Sequence, residues 1–210
     1  MRVALLDDYQ GVALAHLARQ PVDERITYEA FTDHLEDPEA LVARLAPFDA
    51  VVAMRERTPL PRAVLERLPK LRLLVTTGPR NAVIDAQDCA ELGITYCGTG
   101  GSVASTAELT WALLLAAARH LPAELANVRA GGWMTTVGSD LRGATLGLAG
   151  LGRIGALVAR VGLAFEMDVI AWSQHLTAER CAEVGVQLVG RDELFARSDF
   201  LSIHLVLSER

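Results

Sequence analysis

Thr145-Leu146-Gly147-Leu148-Ala149-Gly150-Leu151-Gly152-Arg153-Ile154-Gly155 is the stretch on which the fold turns. An apolar strand runs into a GxGxxG turn, and the apolar residues Ile154, Leu157, Val158, Val161 and Phe165 then recur at helical spacing. Glycines are common in turns, but three of them between a strand and a helix suit a particular chemistry. Gly150 permits the tight turn, Gly152 lets the backbone approach a pyrophosphate, and Gly155 lets helix and strand pack closely. The helix start would face the phosphates with free N–H groups and the positive end of its dipole, and Arg153 would add a charge-assisted hydrogen bond. A helix–strand turn with incidental glycines is the alternative; the strand–turn–helix context weighs against it.

Toward the C-terminus the alternation continues, with strands expected at 168–172, 186–189 and 200–204 and helices at 153–165, 177–184 and 191–196. This is a Rossmann-type parallel sheet. The second strand ends in Ser173-Gln174-His175, where an NAD-binding domain usually carries the acid that binds the ribose 2′-OH. Without a carboxylate nothing repels a 2′-phosphate, and Ser173, Gln174, His175 or Arg180 could donate to one, so both NAD and NADP are allowed as cofactors. Ser173 and Gln174 read equally well as solvated loop residues with no bearing on the cofactor.

Toward the N-terminus, apolar runs at 3–6, 26–31, 50–54, 71–76 and 94–97 alternate with amphipathic segments at 11–19, 38–45 and 61–68. This pattern predicts a second α/β unit with a parallel sheet. The expected division is a first domain over 1–101, then connecting helices and a Rossmann domain over 102–210. A long helix pattern spans 102–119, a second segment covers 124–130, and Gly131-Gly132 breaks it. Residues 109–118 are the most apolar long stretch, too short for a span of roughly 20 residues and better read as a buried helix.

Composition narrows the function classes. A net charge of −6, with the charges scattered, leaves no basic field for nucleic acid or an anionic membrane surface. Cys89, Cys97 and Cys181 have no CxxC or Cys/His spacing, so neither a disulfide framework nor a metal site is expected. The start MRVALLDDYQ turns acidic too early for a secretory signal, and a reducing cytoplasm is the expected location.

Four segments in this order carry a family likeness: Thr76-Thr77-Gly78-Pro79-Arg80-Asn81, Ser105-Thr106-Ala107-Glu108-Leu109, the glycine turn from Leu148 to Gly155, and Ser202-Ile203-His204-Leu205. Together they resemble the D-isomer-specific 2-hydroxyacid dehydrogenases, which include D-3-phosphoglycerate, D-lactate and formate dehydrogenases. The resemblance implies a flavodoxin-like substrate or lid domain at the N-terminus and a Rossmann NAD(P)-binding domain after it. It implies hydride transfer between NAD(P) and a small 2-hydroxy or 2-keto acid. By the same resemblance the Thr77-Gly78-Pro79 turn would offer backbone N–H groups to the substrate carboxylate, and Arg55 would lie near the substrate. Thr106 would contact the cofactor, and His204, Leu205 and Val206 would line the cofactor cleft, Val206 standing where the family usually has Pro.

Each of these residues also has a structural reading. Thr77 and Gly78 could simply end a strand, Arg55 could be a solvated loop charge, Thr106 a helix cap, and His204 a satisfied histidine on an apolar strand. In family members the carboxylate-holding Arg and the Glu-assisted His lie beyond the fourth Rossmann strand. The resemblance therefore implies that this chain carries no catalytic residue, that its sheet is incomplete at the C-terminus, and that alone it does not catalyse hydride transfer. None of His16, His34, His120, His175 and His204 sits in a motif that matches the family's catalytic residues. The alternative function is an inactive dinucleotide-binding or subunit-interaction module. A homodimer is expected, formed through the connecting helix around Trp111 to Ala118 with Trp133.

Overall fold

Runs such as Val3-Ala4-Leu5 and Val51-Val52-Ala53 are apolar at every position, which suits strands covered on both faces. The computed structural model describes residues 1–205. The chain divides into two units, Met1–Gly101 and Ser102–Arg210.

In the first unit, strands β1 (Arg2–Leu5), β2 (Thr27–Ala30), β3 (Ala50–Ala53), β4 (Leu73–Thr76) and β5 (Thr95–Gly98) form one parallel sheet in the order β2-β1-β3-β4-β5. That is the flavodoxin-like order, with its switch point between β1 and β3. Helices α1 (Ala13–Leu17), α2 (Pro38–Leu45), α3 (Arg62–Leu65) and α4 (Ala86–Glu91) connect the strands. Alternate residues feed two cores. Ala4, Leu6, Val51 and Leu74 pack with Leu45, Phe48 and Leu65, while Val3, Leu5 and Ala50 pack with Ala13 and Leu17 of α1. Asp37 caps α2 by accepting from the Glu39 and Ala40 N–H groups, with Pro38 in the first turn. Asp85 caps α4 in the same manner; this six-residue helix is too short to show an apolar period, and the sequence pattern passes over it.

In the second unit, α5 (Ala104–Ala118) and α6 (Leu121–Arg129) precede β6 (Thr145–Ala149), α7 (Arg153–Ala164), β7 (Asp168–Trp172), α8 (Ala178–Val184), β8 (Gln187–Leu188), α9 (Arg191–Arg197) and β9 (Phe200–Ile203). The strands are parallel in the order β8-β7-β6-β9, which is the 3-2-1-4 portion of the Rossmann order. One core joins α5, α7 and the sheet through Trp111, Leu114, Leu146, Leu148, Val158 and Val169; on the other face Leu194 of α9 packs with Ala149, Ile170 and Val189. Trp111 donates its indole N–H to the Val158 carbonyl at 3.2 Å, tying α5 to α7.

Three expectations are corrected here. The 109–118 helix is buried on one face only: Ala107, Trp111, Leu114 and Ala118 are covered, whereas Leu109 and Leu113 are 59% and 62% exposed. Trp111 is thus core, and it offers no surface to a partner. On α7 the stripe inferred from large side chains is displaced, since Val161 and Phe165 are exposed and Gly155, Val158, Ala159 and Gly162 face the sheet. A Cβ at Gly162 would come within 2.8 Å of Leu146, so small residues mark the closest approach of helix and sheet. Thr106 is no cap; the N-cap position of α5 is Val103.

Candidate functional site

Open parallel sheets form their crevices outside the C-terminal ends of the strands, and the residues expected from the sequence at 55, 77–79, 150–155, 173–174 and 204–205 stand at such ends. In the second unit β6 lies between β7 and β9, with Ala149 paired to Trp172 on one side and to Ile203 on the other. The Gly150 N–H donates to the Trp172 carbonyl (2.8 Å) and the His204 N–H to the Ala149 carbonyl (2.8 Å). The glycine turn, Ser173-Gln174 and His204-Leu205 therefore leave three adjacent strands along one edge. Val206 lies outside the described residues.

Each glycine of the turn does separate work. Gly150 has φ +103°, and a Cβ there would also stand 2.9 Å from the His204 carbonyl oxygen. A Cβ at Gly155 would fall on the Gly150 carbonyl oxygen. Gly152 alone faces open space, with no atom within 4 Å of where its Cβ would be. Gly152 is the N-cap residue of α7, no side chain caps that end, and no acid occupies its first turn. The exposed Arg153 and half-buried Ile154 follow, so the helix start presents its N–H groups and dipole to whatever fills the open side.

His204 is partly buried, and burial pushes its imidazole below the ordinary value of 6.5. Its Nε2 lies 3.0 Å from the hydroxyl of Ser202, two residues earlier in the same segment. At the end of β7, Ser173 is half-buried and Gln174 exposed, with no carboxylate beside them before Glu179. Thr106 is exposed in the first turn of α5, its carbonyl accepting from the Thr110 hydroxyl; it makes no hydrogen bond to the glycine turn.

In the first unit Arg55 follows β3, and Thr77, Gly78 and Pro79 follow β4, the neighbouring strand. Arg55 has φ +54°, a left-handed conformation that side chains disfavour. Two bonds hold it there: its N–H donates to the Thr77 hydroxyl at 3.1 Å, and its carbonyl accepts from Asn81 Nδ2 at 2.6 Å. The guanidinium occupies the space a Gly78 side chain would fill. The backbone donors of this turn have partners within the chain. The Thr77 N–H is spent on the Ala53 carbonyl (3.0 Å), the Gly78 N–H on the Thr99 hydroxyl (2.8 Å), and Pro79 has none. Two cations stand at this turn: the exposed Arg80, and Arg55, whose side chain is 54% exposed and whose only ion-pair partner among the described residues is Glu56, 3.6 Å away.

Asn81 and Thr99 thus fix the Arg55 turn although neither had been assigned a part in it. A signal for Asn81 was present in the quoted Thr76 to Asn81 segment; Thr99 follows β5 and becomes a neighbour only through the sheet order.

A model of the D-isomer-specific 2-hydroxyacid dehydrogenase NAD-binding domain matches residues 111–210. A phosphoglycerate oxidoreductase from Vibrio cholerae superimposes with a TM-score of 0.90 and 37% identity, over all of this chain and 68% of that one. The chain belongs to the D-isomer-specific 2-hydroxyacid dehydrogenase family. It carries the family's NAD-binding domain, with the glycine turn inside the matched residues. A D-3-phosphoglycerate dehydrogenase of Mycobacterium tuberculosis is 36% identical over 172 residues, which is 80% of this chain and 32% of that relative. A hydroxypyruvate reductase of Thermotoga maritima is 35% identical over 184 residues, 86% of this chain and 58% of that relative. The chain therefore spans about a third of the length of the first and somewhat over half of the second. No helix among the described residues is long and apolar enough to cross a membrane.

Proposed function

We propose that this chain supplies the substrate-anchoring and dinucleotide-binding parts of an NAD(P)-dependent D-2-hydroxyacid dehydrogenase, which moves hydride between the nicotinamide and C2 of a small 2-hydroxy or 2-keto acid. The observation that carries the reading is the glycine turn between β7 and β9, where only Gly152 opens on empty space and an uncapped helix start faces it. The pyrophosphate would lie against Gly152, Arg153 and Ile154, with Gly150 and Gly155 shaping the turn. The adenosine ribose would lie by Ser173 and Gln174, and the nicotinamide side would lie by His204 and the residues after it, with Thr106 a further contact. Arg55, over Gly78 and beside Thr77 and Pro79, would hold the substrate carboxylate. No described residue is assigned the proton transfer.

Binding of NADH and NADPH, followed by quenching of the fluorescence of Trp111, Trp133 and Trp172, tests the cofactor reading directly. Saturable binding that is lost in Gly152→Val supports it, and no binding by a folded chain sinks it. The absorbance of NAD(P)H with glyoxylate, pyruvate or hydroxypyruvate then separates dehydrogenase from binding module: turnover favours the first, cofactor binding without turnover the second.

Two finer assignments belong to the same reading. With no acid at the end of β7, NADP is accepted at least as readily as NAD. The chain also forms a homodimer through the exposed Leu109 and Leu113 of α5 together with Trp133, Met134 and Val137, of which Trp133 is 80% exposed. The location assigned is the cytoplasm, supported by three free cysteines, one of them exposed.

A further inference from the structure

We propose that Asp7 is a positioning residue for Arg55: it anchors the loop after β3 so that Arg55 keeps its left-handed backbone and its guanidinium stays over Gly78. The inference rests on the assignment of Arg55 to the substrate carboxylate. Its starting point is a burial that the rest of the fold does not require. Asp7 is 1% exposed two residues beyond the end of β1, and it too is left-handed, with φ +56°. A buried carboxylate is costly unless its oxygens are hydrogen-bonded, and these are. Oδ2 accepts from the Thr58 hydroxyl at 2.7 Å; Oδ1 meets His34 Nδ1 at 3.0 Å and the Tyr9 hydroxyl at 3.3 Å. The Asp7 carbonyl accepts from Arg57 Nη1 at 2.7 Å, and the Arg57 guanidinium lies over the Tyr9 ring.

Thr58 and Arg57 belong to the same short loop as Arg55. That loop is thus held from two sides: by Thr77 and Asn81 at Arg55 itself, and by Asp7 through Thr58 and Arg57. A left-handed residue that is not glycine is strained and persists only where its surroundings over-determine it. Thr77 and Asn81 bond the Arg55 backbone, but neither fixes where the chain goes next. The Asp7–Thr58 bond does, three residues on. When it is lost, Arg55 relaxes toward an ordinary φ and its guanidinium leaves Gly78. Tight placement of a carboxylate-binding fork depends on such outer support.

The experiment uses the isotope-labelled chain with oxalate as the carboxylate probe. Two signals are read: the Arg55 three-bond HN–Hα coupling, which reports φ, and the movement of its side-chain Nε–H resonance during titration. Thr58→Val removes only the hydroxyl, Thr58→Ser restores it, and Asp7→Gly removes the carboxylate from a backbone that glycine adopts freely. Thr58→Val and Asp7→Gly are expected to change the Arg55 coupling and to weaken oxalate binding about tenfold, with Thr58→Ser unchanged. A loss of packing elsewhere would not move that coupling. An unchanged coupling and unchanged binding in a folded Thr58→Val chain overturn the proposal, whether or not Asp7→Gly folds. If Arg55→Ala leaves oxalate binding intact, Arg55 is no carboxylate ligand, and the substrate assignment falls with the proposal built on it. Weakened binding in Arg55→Ala beside unaltered binding in Thr58→Val overturns the positioning role alone.

Discussion

At the end of β1 and β3 the first sheet is filled with side chains; at the end of β6 and β9 the second is stripped of them. Both places are switch points of parallel sheets, where connections depart in opposite directions and leave a crevice. In the first unit Asp7, His34, Thr58 and Arg57 occupy that crevice and satisfy one another, and the product is a fixed cation at Arg55. In the second, Gly152 leaves it clear beside the uncapped start of α7, so backbone N–H groups face open space. A side-chain donor must be held by other side chains, whereas a backbone donor needs only their absence.

The sharpest way to break this comparison is within the glycine turn. Gly150→Ala places a side chain at φ +103° and within 2.9 Å of the His204 carbonyl oxygen, so a loss of about 3 kcal/mol is expected from strain and overpacking together. Gly152→Ala meets nothing, and its denaturation midpoint should stay where it is. Only ligand binding separates Gly152→Ala from the unaltered chain: NADH affinity should fall about tenfold as the new methyl stands where the pyrophosphate approaches. Equal loss of stability in both variants would mean that the turn is merely a turn.

Specificity for the 2′-position comes next in size. Ser173→Asp puts a carboxylate where a 2′-phosphate would lie, and like charges at that separation cost about 2 kcal/mol, close to thirtyfold in the NADP-to-NAD binding ratio. Parallel titrations with NADPH and NADH check it. A ratio that stays the same would show that Ser173 is solvated and silent.

These predictions also mark what could be read without coordinates. The glycine turn was legible because its mechanics are local: strand, turn and helix are consecutive, and the spacing of three glycines within six residues states them. That both sheets are parallel followed from the alternation of strands and helices for the same reason. The burial of α7 was misjudged because the close helix–sheet approach selects Gly155, Ala159 and Gly162, which carry no hydrophobic signal. Exposure of Leu109 and Leu113 was invisible because 111–118 is apolar at every position and shows no period to tell which side faces the core. The Asp7 network was hidden most completely. Asp7, His34 and Thr58 stand 24 to 51 residues apart, and Asp7 meets Thr58 because β1 pairs with β3. The acidic pair Asp7-Asp8 directly after an apolar strand was the one trace, and even there Asp8 has a different task, accepting from the Val12 and Ala13 N–H groups at the start of α1.

A modest further effect concerns assembly. Leu113→Glu places a charge in the exposed apolar strip of α5, where burial against a second copy would leave it unpaired. Light scattering at micromolar concentration is expected to move from dimer mass to monomer mass, with the unfolding midpoint of the monomer itself little altered. A monomeric unaltered chain would count against the dimer.

The smallest expected effect sharpens the contrast between two histidines. His34 leans on a buried carboxylate, while His204 has only the Ser202 hydroxyl and a partly dry surrounding. Burial lowers the His204 value from 6.5, so the folded chain favours the neutral ring. As pH falls, the unfolded chain takes up this proton first. The stabilising contribution is therefore complete above the unfolded value near 6.5 and is lost as pH falls through the lower folded one; over that window the unfolded chain binds more protons and stability rises with pH. His204→Gln retains a polar side chain and cannot titrate. Urea midpoints measured from about pH 7.5 down to about pH 5 should fall less steeply for that variant than for the unaltered chain. Identical slopes would mean that the ring takes its proton with no cost in the folded state, and that the β9 end of the crevice is wetter than its burial implies.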